Sequence, residues 1–319
     1  MACAPGPQET GPSVINFLII LVGLAGGYAL RKLGRVQPSA SGGINAWLLY
    51  IAMPAVILKY VPQIAWTPAV LFPLASPVIV LAGGAVYTGI SSALFRWTAD
   101  RSASVFLSTS LANTSFVGFP LITAFYGTSA LTVGVLCDQI TFVLLSTVGI
   151  AAATWAQAKG SGRHQGSLLA AVGKKLLGFP PLLAFAAALI LPHWVDLKPV
   201  EPLFDALAAT LGPLALFSVG LQISLTQMGR GGAALAAGLT YKLVAAPLLV
   251  LAAAAVFGVT GVTARVSVFE AAMAPMVTVA VLAAEYGLAP RLASAMVGLG
   301  IPLSLLTGAG WWFILQFWP

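Results

Sequence analysis

The chain has 319 residues, of which 59% are hydrophobic and only 7% charged, with a mean hydropathy of +0.98 and a net charge of +7. A water-soluble globular chain carries roughly 25% charged residues, so a soluble domain is excluded. The positive balance does not read as nucleic-acid binding either, because the basic residues collect in particular loops.

Apolar runs long enough to span a bilayer, about 20 residues each, recur along the whole chain. They predict ten transmembrane helices at 12–30, 42–61, 69–95, 102–124, 130–156, 174–192, 199–223, 232–257, 265–286 and 290–317. The opening MACAPGPQETG has no positive charge before the first run and does not read as a signal peptide. Connections after the first, third, fifth and seventh runs hold Arg31, Lys32, Arg35, Arg96, Arg101, Lys159, Arg163, Lys174, Lys175 and Arg230, against Lys198, Arg265 and Arg291 elsewhere. The positive-inside rule makes the first side cytoplasmic and places both termini outside. Most of the tryptophans, among them Trp66, Trp97, Trp194, Trp311 and Trp312, fall at predicted helix ends and read as interfacial belts.

The expected organisation is a first five-helix repeat over 1–156, a cytoplasmic linker over 157–173 and a second repeat over 174–319. Asn45 and Asp205, and Tyr126-Gly127 and Tyr286-Gly287, are each 160 residues apart; Pro54 and Pro213 are 159 apart. Five helices per half is an odd number, so the second repeat would insert upside down. That construction is common among secondary transporters.

The fourth run carries Ser108, Thr109, Ser110, Asn113, Thr114 and Ser115 at its centre, followed by Gly118 and Pro120. Proline removes an amide donor and glycine weakens a helix, so the chain is expected to break there. The ninth run carries Pro275 near mid-membrane. Two opposed broken helices would aim positive half-helix N-termini at one point, which suits a carboxylate. A purely structural reading stands beside it, in which Ser and Thr bond to their own helix and proline only kinks it.

Charges inside the runs are few, and each costs roughly 2.5–3.5 kcal/mol at the bilayer centre on insertion scales. Asp138, beside Gln139, lies in the fifth run, Lys242 in the eighth and Glu270 in the ninth. They would form either a structural Lys–carboxylate pair or a charge network for proton or cation coupling. Lys59 and Asp205 are expected to snorkel at helix ends, and Glu285 and Arg291 to sit in a solvated turn. Cys3 and Cys137 stand alone, and His164 and His193 fall in loops, so neither a disulfide framework, a metal cluster nor a nucleophile–base pair appears. No cofactor is implied, and the chain does not read as an enzyme.

STSLANTSFVGFPLITAFYG and EAAMAPMVTVAVLAAEYGL, with INAWLLYIAMPAVIL, LGPLALFSVGLQIS and YKLVAAPLL in order, resemble the auxin efflux carrier family, which includes plant auxin carriers and bacterial malonate and malate carriers. The resemblance covers nearly the whole chain. It implies an all-α, inverted 5+5 fold like that of the bile acid symporters, with runs 1, 2, 6 and 7 forming a dimerising scaffold. Runs 3–5 and 8–10 would form a mobile unit working as an elevator in the cell membrane. It further implies that Ser110, Asn113, Thr114, Met273, Ala274 and Pro275 bind a small organic anion, such as malonate or malate, where runs 4 and 9 cross. Related bile acid symporters suggest sodium at Glu270; proton coupling through Asp138 or Glu270 and uniport remain alongside. The chain departs from the plant pattern at Ala112, where those carriers have the crossover proline, and at Ala274, whose proline falls one residue later. The alternatives are a channel-like pore and a binding-only receptor for organic anions.

Overall fold

The computed structural model describes residues 14–37, 39–161, 168–223 and 232–319, and these are helical with no strand among them. We number the helical segments α1 (Val14–Lys32), α2 (Ala40–Gln63), α3 (Pro68–Phe95), α4 (Ala99–Ser110), α5 (Thr114–Tyr126), α6 (Thr128–Lys159) and α7 (Leu168–Leu177). There follow α8 (Pro180–His193), α9 (Lys198–Gln222), α10 (Gly232–Phe257), α11 (Gly261–Ala271), α12 (Val277–Glu285) and α13 (Pro290–Leu315). Seven of these, α1, α2, α3, α6, α9, α10 and α13, are long and apolar enough to cross a membrane. The remainder are pairs of shorter pieces, α4/α5, α7/α8 and α11/α12, where the chain is interrupted. The protein is a multi-pass membrane protein. Cys3, Arg163, His164 and Arg230, with residues 162–167 of the polar linker, lie outside the described residues.

Burial is distributed as a bilayer requires. Large apolar side chains such as Leu18, Leu21 and Val22 of α1, Leu94 of α3 and Val256 of α10 point outward. Ser104, Ser108, Thr109, Asn113, Asp138, Lys242 and Glu270 are buried inside. Lipid tails are as apolar as leucine, so helices associate through close packing and internal polar contacts rather than through burial of oil from water.

Four π turns interrupt the spans, at Leu48–Ala52, Thr114–Gly118, Leu145–Gly149 and Tyr241–Ala245. Three of them are followed two residues later by proline, at Pro54, Pro120 and Pro247. The missing proline N–H leaves a carbonyl without its i+4 donor, and widening the turn accommodates the gap. One freed carbonyl, that of Leu243, accepts a 2.9 Å bond from Trp311 Nε1. Trp311 is therefore a buried partner of α10 rather than part of an interfacial belt, whereas Trp66 and Trp194 are exposed as expected.

The tightest helix pair is α1 against α9. Gly23 and Gly27 of α1 and Gly220 of α9 let the backbones touch: a Cβ on Gly27 would strike Phe217 O, with Leu221 N 2.9 Å away, and one on Gly220 would strike Leu24 O. Arg31 at the end of α1 donates to the carbonyls of Leu221 and Ile223 at 3.0 and 2.9 Å, a cation closing the negative end of α9. Backbone cannot move aside as a side chain can. Gly27→Ala should lower stability by about 1–3 kcal/mol, outweighing its gain in helix propensity of up to about 1 kcal/mol. Gly26→Ala, with nothing within 4 Å of the added carbon, should be neutral or slightly stabilising. Thermal unfolding in detergent checks the pair, and equal melting temperatures for the two variants would refute the close crossing.

Lys59 and Asp205 form an ion pair at 2.5 Å joining α2 to α9. Arg291 follows a turn whose Ala289 N–H donates to Ser104 Oγ in α4 at 3.1 Å, so it stands at the same end as Arg96 and Arg101, as its turn after the ninth run implies, and not with Lys198 and Arg265. One expectation needs correction. The sixth run is not one helix, because the chain breaks at Gly178–Phe179 ahead of the consecutive prolines Pro180 and Pro181.

Candidate functional site

The two long interruptions meet. At α4/α5 the chain leaves the helix at Leu111 (φ −112°, ψ 110°) and re-enters after Asn113, whose side-chain oxygen accepts from Phe116 N at 3.3 Å as an N-cap. At α11/α12 it leaves at Ala272 and re-enters after Met276 (φ −63°, ψ 134°), with Pro275 unable to continue the first helix. Ala112 and Pro275 form an antiparallel β-bridge. Asn113 N–H donates to Ala274 O at 2.8 Å, and Met276 N–H donates to Leu111 O at 2.9 Å. Each break thus supplies the hydrogen bonds that the other lacks, which a membrane interior demands.

The position of the first break differs from expectation. Gly118 and Pro120 do not cause it; they lie inside α5, in its π turn and first α-helical turn. Nor does the absence of a proline at Ala112 close the helix, because the opposing strand holds the backbone open.

A cavity of about 890 Å³ reaches the bridge from the end bearing the basic loops. The starts of α5 and α12 both open on it, through Asn113, Ser115 and Phe116 on one side and Met276, Val277 and Thr278 on the other. Partial positive charge from both half-helices is therefore directed toward the same space. Asp138 of α6 lies in the wall, 2% exposed, accepting from Thr114 Oγ1 at 2.6 Å and from Gln139 Nε2 at 3.4 Å. Asn113 Nδ2 is buried with no partner. Asn45, whose Oδ1 accepts from Ser218 Oγ at 2.5 Å, faces the cavity from α2. Phe142 and Phe179 stack at 8° and Lys174, Glu285 and Tyr286 complete the wall.

Of the residues singled out in sequence, the structure brings Asn113, Thr114, Asp138 and Gln139 together, and Asn113 and Asp138 line the cavity itself. Ser110 and Glu270 meet elsewhere, in a small space of about 10 Å³ with Ser76, Cys137 and Thr141. Both Glu270 oxygens and Ser110 Oγ lack hydrogen-bond partners. The carboxylate fits there only because Gly118 and Gly134 are bare: a Cβ on Gly118 would overlap it, and one on Gly134 would lie 3.3 Å from Oε1. Met273, Ala274 and Pro275 contribute backbone and core. Met273 packs toward Gly308, and the Pro275 ring against Gly300, so the cavity wall passes instead to Met276, Val277 and Thr278.

Of the two readings of the buried charges, a direct Lys–carboxylate ion pair is not formed among the described residues. Lys242, fully buried in the π turn of α10, donates from Nζ to Ala271 O at 2.8 Å, at the negative C-terminal end of α11. Ser115, part of the polar centre of the fourth run, also lines the cavity, whereas the sequence does not mark Asn45, Lys174, Thr278 or Glu285 as cavity residues. Asn45 carried a signal, its correspondence with Asp205 across the repeat.

A sequence model described as "Membrane transport protein" matches residues 12–312. The chain belongs to the membrane transport protein family. This bears out the resemblance to the auxin efflux carriers and places the chain among transport proteins rather than enzymes. The membrane transport protein relatives include an uncharacterized transporter of Methanocaldococcus jannaschii, 24% identical over 93% of this chain and 97% of its own. Another uncharacterized transporter, from Methanothermobacter thermautotrophicus, is 24% identical over 97% and 99%. A Rhizobium meliloti protein, named provisionally as a malonate transporter, is 25% identical over 91% and 92%.

Proposed function

We propose that this protein is an elevator-type secondary transporter that moves a small organic anion, a mono- or dicarboxylate, across the cell membrane. The observation that carries the reading is the convergence of two half-helix N-termini on one cavity at the β-bridge. Neutral donors and partial positive charge, without a full cation at the apex, suit a carboxylate that must be released again.

The wider arrangement supports it. We read ten spans as two inverted five-helix repeats, with α4/α5 and α11/α12 as equivalent crossing members. α1, α2, α8 and α9 pack on one another and form a scaffold, while α3, α4, α6, α10, α11 and α13 pack as the moving unit. A second cavity of about 270 Å³ lies on the opposite side of α5, between α1, α2 and α9 and the α5–α6 turn, holding the Lys59–Asp205 pair. Two distinct cavities, one at the crossing and one against the later part of α5, favour alternating access over a continuous channel. A homodimer built through the scaffold, and both chain ends on the outer face, complete the reading.

Asn113→Ala tests the site. It should weaken binding of malonate and related acids roughly tenfold or more, with folding retained because the bridge uses backbone atoms. Thermal stabilisation of the purified protein reads the affinity. Wild-type affinity in the folded variant would remove Asn113, and with it the crossing, from the ligand site.

A further inference from the structure

The main cavity contains a charge that an anion should avoid. Asp138 is buried in its wall, and its hydrogen bonds come from neutral donors, the Thr114 hydroxyl and the Gln139 amide. Among the described residues no Lys, Arg or His nitrogen lies within ion-pair distance of it. The other charged groups around it are accounted for. Glu270 of α11 lies behind the Thr114–Gly118 turn and against Gly134, one turn from Asp138 on α6. Lys242 is bonded to Ala271 O, and Lys174 and Glu285, one of each sign, both line the cavity. Ser115 and Tyr286 add neutral polar groups. A carboxylate docked on Asn113 and the α5 and α12 N-termini would therefore share a poorly hydrated space with Asp138, and like charges in such a space repel strongly.

Resting on the organic-anion reading, we propose that the cavity takes its anion only together with one positive charge seated against Asp138. Thr114 and Gln139 hold the carboxylate in place, and the incoming charge neutralises it as the anion binds beside it. Three sources share this chemistry: a proton, a monovalent metal ion, and an ammonium group on the substrate itself.

Malonate binding to the purified wild type and to Asp138→Asn separates them, measured in sodium-free buffer and with sodium, between about pH 5.5 and 8.5, with β-alanine as the ligand whose second carboxylate is replaced by ammonium. Asparagine keeps the acceptor for Thr114 and removes the charge. Malonate titrates identically in both experiments, so a difference between the proteins belongs to Asp138. In the wild type the affinity should change roughly tenfold or more with proton or sodium concentration, or β-alanine should displace malonate. In Asp138→Asn that dependence, or that preference, should be lost. Loss of pH dependence identifies the proton, loss of sodium dependence the metal ion, and loss of β-alanine binding the ammonium group. A wild type that binds malonate equally under all conditions and rejects β-alanine overturns the proposal without recourse to the variant. An unchanged profile in a folded Asp138→Asn protein overturns it equally. If no carboxylate stabilises either protein, the organic-anion reading itself fails and this inference falls with it.

Discussion

Met276→Pro should lose transport while the matched Met276→Ala retains much of it. Met276 sits at φ −63°, the angle that a proline ring imposes, so the substitution introduces no backbone strain at that residue. What it removes is one N–H, the donor to Leu111 O at 2.9 Å. The Leu111 carbonyl then stays buried without its partner, at a cost of about 1–3 kcal/mol. Alanine removes the same cavity-wall side chain and keeps the donor, so the difference between the two variants isolates the bridge. The expected separation is roughly 10- to 100-fold in uptake by proteoliposomes, following from that free energy. Equal uptake would mean that the bridge is dispensable and that the half-helix breaks are held open by side-chain packing alone.

The second large effect concerns Lys242. Lys242→Met keeps the length of the side chain and removes its charge and its bond to Ala271 O. The C-terminal end of α11 then loses its cation, and Glu270, two of whose oxygens already lack partners, loses the positive charge that acts on it. The buried Ala271 carbonyl is left without its donor, at a cost of about 1–3 kcal/mol, a large share of the stability of a marginally stable protein. Glu270→Gln added to Lys242→Met should restore part of the loss. Folded yield and melting temperature of the two single variants and the double variant close the cycle. Strict additivity would show that Lys242 and Glu270 act independently across the crossing.

Much of the architecture could be read from the chain because hydropathy and proline act locally. The long apolar runs and the interruption at Pro275 need no knowledge of neighbours. The break at Leu111–Asn113 is different. Its proline lies eight residues downstream of Ala112 and causes nothing there; the decisive partner is an extended segment from the other half of the chain, 163 residues away at Pro275 (275 − 112 = 163). Residue chemistry marked Asn113, Asp138 and Glu270 as unusual but could not say which space each would face. Asp138 lines the main cavity, whereas Glu270 lines a separate small pocket with Thr114. That distinction depends on helix rotation. Trp311 shows the same limit: its place near a helix end suggested lipid, whereas a carbonyl freed by a π turn in α10 draws it inward.

The β-bridge at the crossing is made from main-chain atoms alone. None of its hydrogen bonds uses the side chain of Asn45, Ser115, Thr278 or Asp138. On the proposed site, architecture and ligand preference are therefore written in separate alphabets. A lineage, or an engineer, could exchange the side chains of the cavity wall and leave the frame that presents them intact, so a change of cargo would need single substitutions there rather than the rebuilding of a membrane-embedded junction.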